Sequence, residues 1–195
     1  SISSGQVLSC PYNYEKSRLI LKEMVDLLVL DMVGKKYLTD MLVLTVDYDV
    51  ENLKYNSNFN GKLKEDRYGR MVPKPAHGTF RLENMTSSTM TIMDGFLKLF
   101  DKIVNKDLLI RKINICVGNL LRDDEISTSY EQLDLFTDIK EKLKQDEKLQ
   151  KEKKLQETVI GIKNKYGKNA IIKAFNLEEG ATTLSRNRQI GGHSE

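Results

Sequence analysis

The sequence predicts an α+β domain in which strands and helices follow one another in the order β-α-β-β-α-β. Apolar side chains recur at every second residue in four short segments and at helical spacing in two longer ones. At 195 residues, the chain is long enough to bury one good core and to carry a smaller appendage. This order of elements is typical of a split βαβ sheet, in which both helices cover one face and the other face remains open.

The first helix is predicted to follow a short strand over residues 1–9, where apolar and small polar residues alternate. Asn13 is a suitable N-cap because its side chain can accept a hydrogen bond from the first turn. Gly34, with two lysines after it, is typical of a helix end. Between them, apolar residues such as Ile20 and Met24 have helical spacing, so this segment is predicted to be helical.

Three further strands are predicted by alternation along the chain. In the second strand, over residues 39–50, every second side chain is large and apolar. In the third strand, over residues 77–86, Thr79 and Arg81 lie on the polar side. Residues 110–121 supply the fourth strand.

The second helix is predicted between the third and fourth strands, with Ser88 as a candidate N-cap. Apolar side chains recur at i, i+4 spacing at Ile92, Phe96, Phe100 and Val104, which is typical of a helix with one buried face. Both helices would then cover the apolar side of the sheet. The polar side of the third strand would face away from them.

The loop before the third strand is basic. Between residues 51 and 76, six basic side chains stand against three acidic ones, an excess of +3 that equals the net charge of the whole chain. Lysine and arginine neutralise phosphates without base contacts, so a basic loop beside a polar sheet face predicts binding to a duplex backbone, although a merely solvated loop fits the charge equally well. The candidate DNA contacts are Lys35, Lys62, Lys64, Arg67, Arg70, Lys74, His77, Gly78, Thr79 and Arg81.

The C-terminal part of the chain has a different composition. From Ile139 onward, lysines and acidic residues alternate with few apolar residues, which predicts a solvent-exposed helix. Leu155, Val159, Ile162 and Tyr166 are spaced as one helical face, which Gly167 closes.

Metal and redox chemistry find little support in the sequence. Cys10 and Cys116 lie in apolar surroundings, which predicts two buried, reduced thiols in a cytoplasmic protein. The chain has only two histidines, which argues against a zinc site. Asp47 and Asp49 could hold a divalent metal, but no third carboxylate or phosphate-binding loop accompanies them, so a solvated strand end is favoured.

No membrane segment is predicted, since no run approaches the roughly 18 apolar residues that a spanning helix needs. The first ten residues also lack the basic start and apolar centre of a secretory signal. Because they include no initiator methionine, we expect the chain to be a fragment of a longer protein.

A short motif stands between two strongly charged stretches, with Gln132 followed by the apolar residues Leu133, Leu135 and Phe136. Four fixed positions of this kind should arise by chance in on the order of one chain in a few hundred of this size. The motif is similar to the pentapeptide by which bacterial DNA-processing enzymes dock onto the sliding clamp. That resemblance implies a polar anchor at Gln132, a supporting contact at Leu133, and two plugs for an apolar pocket at Leu135 and Phe136. Packing onto the chain's own core is the alternative.

Several segments carry a wider resemblance: SISSGQVL, CPYNYEKSRLILKEMVDLLVLDMVGKKYLTD, VLTVDYDVENL, KPAHGTFRLENMTSS, LLIRKINICVGNL, KYGKNAI and EEGATTLSRNRQIGGH. Together they resemble the C-terminal half of Y-family translesion DNA polymerases, in the UmuC-like ImpB/MucB/SamB branch that serves DNA repair and the SOS response. The resemblance covers nearly the whole chain.

The resemblance implies a division of the chain into three parts. Residues 1–124 would be a little finger domain that grips duplex primer-template DNA, residues 125–138 a linker that docks on the bacterial sliding clamp, and residues 139–195 a charged helical extension. Whether the extension binds a recombinase filament or an accessory subunit stays open. In this family the magnesium-binding carboxylates belong to a palm domain upstream of Ser1, so we expect this fragment to hold no cofactor and not to polymerise DNA.

Two other functions remain open at this point. The chain could be a self-standing adaptor that binds a protein through its helical C-terminal part and has no role on DNA. It could also be a small metal-dependent nuclease that uses Asp47 and Asp49, in which case magnesium binding would vanish in Asp47→Asn.

Overall fold

The structure of the chain is a computed structural model that describes residues 1–55, 61–66, 68–124 and 139–188. Its strands are β1 (Ile2–Tyr12), β2 (Tyr37–Tyr48), β3 (Leu63–Glu65), β4 (Met71–Pro73), β5 (Ala76–Thr86), β6 (Ile110–Gly118) and β7 (Leu121–Arg122). Its helices are α1 (Tyr14–Gly34), α2 (Glu51–Tyr55), α3 (Thr89–Ile103), α4 (Ile139–Tyr166) and α5 (Thr183–Arg186), with a 3-10 helix at Ala174–Leu177.

The main sheet has the strand order β1-β6-β2-β5, and β7 pairs with the start of β2. All neighbouring strands are antiparallel. β1 and β2 therefore run in the same direction with β6 between them, and β5 and β6 do so with β2 between them, which is the split βαβ arrangement. The predicted α+β fold and its order of elements are confirmed.

Both predicted helix caps are present. The Asn13 side chain accepts a hydrogen bond from the Lys16 backbone N–H at 2.9 Å, and the Ser88 side chain accepts one from the Thr91 N–H at 3.3 Å. Each bond satisfies an N–H that would otherwise have no partner within its own helix. The caps therefore fix where α1 and α3 begin.

The core lies between the sheet and the two helices α1 and α3. β2 contributes Leu42, Leu44 and Val46 to it, and α3 contributes Phe96 and Phe100, all fully buried. Burying each such side chain stabilises the fold by about 1.5–3 kcal/mol relative to leaving it exposed. Within the described ranges, no helix is both long and apolar enough to cross a membrane.

The polar segment before β5 folds into more structure than the sequence analysis predicts. α2 begins where the Asp49 carboxylate accepts the Glu51 backbone N–H at 2.8 Å. β3 and β4 form a hairpin whose turn is held by Asp66, which accepts the N–H of Tyr68 at 2.8 Å and that of Arg70 at 3.0 Å. These elements are too short to show a clear hydrophobic period, so alternation alone does not reveal them.

The helical face of α4 formed by Leu155, Val159, Ile162 and Tyr166 is only partly covered, since Val159 and Ile162 are half-buried. Leu155 is 64% exposed and Tyr166 is 67% exposed, whereas Gln156 is buried. The Gln156 amide donates hydrogen bonds to the Ser87 carbonyl and to the Thr89 hydroxyl, both at 2.9 Å. α4 therefore meets the domain through these polar contacts together with Ile160, which packs against the core, and the spacing of apolar residues alone does not identify this face. The boundaries between residues 1–124, 125–138 and 139–195 stay a prediction.

A methyl group at Gly95 of α3 would have little room. A Cβ placed there lies 2.6 Å from Cδ1 of Leu42 and 3.2 Å from Cδ2 of Leu82. Alanine favours a helix by about 1 kcal/mol over glycine, but overpacking a core costs about 1–3 kcal/mol. Gly95→Ala should therefore lower the free energy of unfolding by up to about 2 kcal/mol in chemical denaturation.

The matched control for this change is Gly161→Ala in α4, because no atom lies within 4 Å of a Cβ at that position. There the gain in helix propensity should appear alone, as an unchanged or slightly higher free energy of unfolding. If Gly95→Ala also stabilised the protein, α3 would not approach the sheet as closely as described.

Candidate nucleic-acid interface

The face of the sheet opposite the helices carries mostly small and polar side chains. Cross-strand register places Thr45 beside both Asn114 and His77. The next row places Val43 between Cys116 and Thr79. The polar and small members of this open face are Ser3, Gly5, Thr45, Asp47, His77, Thr79, Arg81, Lys112, Asn114 and Cys116.

Two local contacts keep the open face flat. The Thr45 hydroxyl and His77 Nδ1 are hydrogen-bonded at 2.9 Å. A Cβ at Gly5 would lie 2.6 Å from Oδ1 of Asn114, so the Asn114 amide lies over the bare backbone of Gly5. Small and flat side chains let an extended ligand approach the strands closely, and the hydroxyl and amide groups can donate to phosphate or sugar oxygens.

The β3–β4 hairpin adds positive charge at one end of this face. Lys64 lies on β3 and Lys62 directly precedes that strand. The Lys74 backbone N–H donates to the Lys62 carbonyl at 2.7 Å, so Lys74 lies opposite Lys62. Lys64 and Lys112 both act electrostatically on Asp47 at the end of β2, which places the hairpin beside the open face. We call these four lysines, Lys62, Lys64, Lys74 and Lys112, the lysine rim. None forms an ion pair with a carboxylate among the described residues.

Two predicted arginines are already paired with carboxylates. Arg70 Nη2 lies 2.7 Å from Oδ2 of Asp66, and Arg81 Nη1 lies 3.1 Å from Oδ2 of Asp40. The hydrogen bond from the Arg70 backbone N–H to Asp66 holds the pKa of that carboxyl below its ordinary value, and the guanidinium acts in the same direction. Each arginine therefore supplies less uncompensated charge than a lysine of the rim.

Other predicted contacts are not brought together with the lysine rim. Lys35 ends α1, pairs with Asp31 at 2.7 Å and lies at the start of β2, whereas the hairpin lies beside its end. Gly78 lies at a position that faces the helices, since a Cβ there would be 2.9 Å from Cδ1 of Leu99. Arg67 and the clamp motif of Gln132, Leu133, Leu135 and Phe136 lie outside the described residues.

Lys112 and Asn114 are candidate contacts that the sequence analysis missed. The signal was available, because Ile113, Ile115 and Val117 alternate with them along β6 and are buried against the helices. A period of two places Lys112 and Asn114 on the other face of the sheet.

Residues 1–135 match the C-terminal domain of the impB/mucB/samB family. The chain belongs to the impB/mucB/samB family. The match contains the whole sheet with α1 and α3, and it confirms the family resemblance stated from the sequence.

One solved structure similar to this impB/mucB/samB domain is the complex of a beta-clamp processivity factor with the little finger domain of PolIV. The two chains share 10% sequence identity with a TM-score of 0.36. The similarity covers 70% of this chain and 98% of that one. A comparison with curated protein sequences gives no match.

The open face of this impB/mucB/samB domain ends in a cleft of about 720 Å³ between the sheet and the hairpin. Asp47, Lys64, Arg111 and Lys112 are among its lining residues. Asp49 also lines it, but its carboxylate is occupied by the Glu51 N–H and lies 3.7 Å from Nε of Arg111. Within the described residues, no group of three or more histidine, cysteine, aspartate or glutamate side chains could hold a metal ion.

Asp47 should make stability depend on pH. Burial raises the pKa of its carboxyl above the ordinary value, while Lys112 and Lys64 act in the opposite direction. The folded state then holds the proton more tightly than the unfolded state, so the contribution is fully present below about pH 4 and is lost as the pH rises through the raised folded pKa. Asp47→Asn should therefore raise the melting temperature at pH 7 and have a smaller effect in acid.

Asp101 provides the opposite case as a control. Its hydrogen bond from Arg18 lowers the pKa of the Asp101 carboxyl, so its stabilisation is present at neutral pH and is lost as the pH falls through the lowered folded pKa. Asp101→Asn should lower the melting temperature at pH 7, and the loss should shrink in acid. Equal pH profiles for the two variants would contradict the opposite environments described for these carboxyl groups.

The expectation that both cysteines are buried is wrong. Cys10 is exposed and Cys116 is only partly buried. Cys10 lies on the edge strand β1, where the pairing with β6 shifts register between Val7 and Tyr12, and Cys116 lies on the open face. Hydrophobic neighbours in sequence do not bury a side chain that alternation directs away from the helices.

Proposed function

We propose that this impB/mucB/samB domain is the DNA-binding and clamp-docking portion of an error-prone translesion DNA polymerase, acting in DNA damage tolerance. The observation that carries the proposal is the lysine rim, which continues the polar open face of the sheet. Membership in the impB/mucB/samB family supports it. The proposed DNA is the duplex behind a primer terminus, since the rim supplies charge without a row of aromatic side chains for unstacked bases.

The lysine rim and the open face would both contact the DNA backbone, in different ways. The four lysines neutralise phosphates and release counterions, which supplies most of the affinity. Thr45, Thr79 and Asn114 can donate to backbone oxygens and so fix the register of the duplex without reading its sequence. Arg70 and Arg81 would contribute less than the lysines, because each must first leave a carboxylate partner.

Clamp docking rests on the motif of Gln132, Leu133, Leu135 and Phe136 together with the family. The three apolar residues follow a polar stretch and precede a charged helix, so the sequence offers few nearby apolar side chains to cover them. Burying each of these side chains in an apolar pocket would favour binding by about 1.5–3 kcal/mol, because apolar surface is removed from water. The polymerase would thus hold DNA through its sheet and the clamp through the segment after it.

The test is the affinity of this chain for unrelated blunt duplexes as a function of salt. If four lysines meet phosphates, log K should fall linearly with log salt concentration, with a slope of about −3 to −4. The slope and the affinity should be nearly the same for every sequence. An affinity that is absent at low salt would favour an adaptor without a role on DNA, and sequence-dependent affinity would contradict backbone binding.

A further inference from the structure

Three buried polar side chains on the helical side of the domain find their partners far away in sequence. Gln6 of β1 is 7% exposed, and Glu23 and Asp26 of α1 are 1% and 7% exposed. Their hydrogen-bond and ion-pair partners among the described residues all lie in residues 173–186. We call Gln6, Glu23 and Asp26 the recess, and residues 173–186 the clasp.

Glu23 makes the densest contact in the recess. Its Oε2 accepts the Thr182 backbone N–H at 2.7 Å and the Thr182 hydroxyl at 3.1 Å, while Oε1 accepts the Thr183 N–H at 3.0 Å. Hydrogen bonds to an ionised acceptor are stronger than those between neutral groups. A carboxylate this deeply buried needs such donors, because an unpaired buried charge is strongly unfavourable.

Charge complementarity extends the contact on both sides of Glu23. Lys173 Nζ lies 2.5 Å from Oδ1 of Asp26, and Arg186 Nη1 donates to Oε1 of Gln6 at 2.6 Å. Burial lowers the pKa of Arg186, and the nearby Glu23 carboxylate acts against that change. The recess is therefore acidic, and the clasp offers two cations and two backbone donors that match it.

The contact differs in kind from the core. The recess is held by hydrogen bonds and ion pairs, and no large apolar residue of the clasp from Lys173 to Arg186 is fully buried: Leu177 is 67% exposed, while Phe175 and Leu184 are half-buried. Water can replace such polar partners when the segment leaves, whereas the apolar side chains of the core have no such substitute. Segments with few buried apolar contacts open at a lower free energy than the core.

We propose that the recess is a peptide-binding site which the chain occupies with its own residues 173–186, as a clasp that opens while the domain stays folded. The Glu23 carboxylate, which accepts the hydrogen bonds from Thr182 and Thr183, holds the clasp closed, and we call it the latch. The ligand class that fits the recess is a basic segment presenting two successive backbone N–H groups, as Thr182 and Thr183 do. The site lies on the helical side of the domain, so the proposal stands whether or not the open face binds DNA.

Amide hydrogen exchange of the full chain tests the latch. In the unaltered chain, the amides of Thr182 and Thr183 should exchange faster than those of Leu44 and Ile113 in the core. Glu23→Gln should speed exchange at Thr182 and Thr183 at least tenfold and leave the two core amides unchanged.

The control for this measurement is Glu15→Gln, which removes the same charge from an exposed position on the same helix. Glu15→Gln should leave the exchange rates of all four amides unchanged. If Glu23→Gln sped exchange of the core amides as much as that of Thr182 and Thr183, the clasp would be part of the cooperative core. If Thr182 and Thr183 stayed protected, Glu23 would not be the latch. Either result overturns the proposal.

A second variant opens the clasp without touching the recess. Gly180 has φ +93°, and a Cβ there would lie 3.3 Å from Cγ and Cδ of Lys16, so alanine is strained at this position. A labelled peptide of residues 171–188 should bind the Gly180→Ala chain but not the chain that also carries Glu23→Gln. Failure to bind Gly180→Ala would overturn the peptide-site assignment. Protection of Thr182 that rises with protein concentration would overturn occupation in cis, because a second copy would then supply the segment.

Discussion

Replacing Lys64, Lys74 and Lys112 together by alanine should weaken duplex binding by about 100-fold at 0.1 M salt and make the log-log salt slope shallower by about 2.7. These lysines form no ion pair with a carboxylate among the described residues, so each is available to neutralise a phosphate. The loss should be the same on unrelated sequences because backbone contacts carry no base information. Fluorescence anisotropy over a range of salt concentrations measures both quantities.

A matched triple variant separates this surface from the general charge of the chain. Lys102, Lys148 and Lys151 are exposed lysines on α3 and α4, away from the open face, and they form no ion pair among the described residues. Replacing all three by alanine changes the net charge by the same amount and should change affinity by no more than a few-fold, since exposed charges beyond a Debye length of about 10 Å are largely screened at 0.1 M salt. Equal losses in the two triple variants would mean that DNA senses net charge alone, and the proposed interface would be wrong.

Replacing Leu135 and Phe136 by alanine should abolish binding to a bacterial sliding clamp in calorimetry. Two apolar side chains of this size contribute about 1.5–3 kcal/mol each when they are buried. A flexible motif that must be ordered on binding is expected to reach a dissociation constant of order micromolar, about 8 kcal/mol. Losing both anchors removes roughly half of that free energy, which places binding beyond detection.

The control for the clamp experiment uses two exposed apolar residues of α4. Leu149 is 45% exposed and Leu155 is 64% exposed, and both lie on α4. Replacing this pair by alanine should leave clamp binding intact. The melting temperature should stay nearly the same for the Leu135 and Phe136 variant. A variant that melts several degrees lower and still binds the clamp would show that these side chains belong to the fold.

The sheet and its two covering helices could be predicted because their signals are local. Alternation in β2 identifies its buried face, and Asn13 and Ser88 each precede a helix that their side chains do cap. Such signals depend on neighbours within four residues along the chain, so a single sequence contains them. The confirmed order of elements follows from them together with the split βαβ pattern.

The polar contacts of the candidate site and of α4 could not be predicted, because they depend on partners that are distant in sequence. The sequence shows Arg81 as a cation on a polar face, but it does not show that Asp40, 41 residues earlier, pairs with it. The packing of α4 likewise includes a hydrogen bond from the Gln156 amide to the Ser87 carbonyl. A hydrophobic period does not predict such a contact. Polar contacts between distant segments are specified by geometry, so a pattern of apolar residues locates the core but not these surfaces.

The strand order of the sheet also bears on how the chain folds. Among the described residues, β6 is made after the other long strands yet lies between β1 and β2, and Ile2 is opposite Val117. The first strand therefore has no partner in the main sheet until more than 100 further residues have been made. Pairing over such a separation requires the closure of a long loop, which slows folding relative to helical domains of similar size. Until β6 is made, β1 and one edge of β2 lack their partner strand and the apolar side chains that β6 adds to the core are missing, so the nascent chain exposes apolar surface that chaperones can bind.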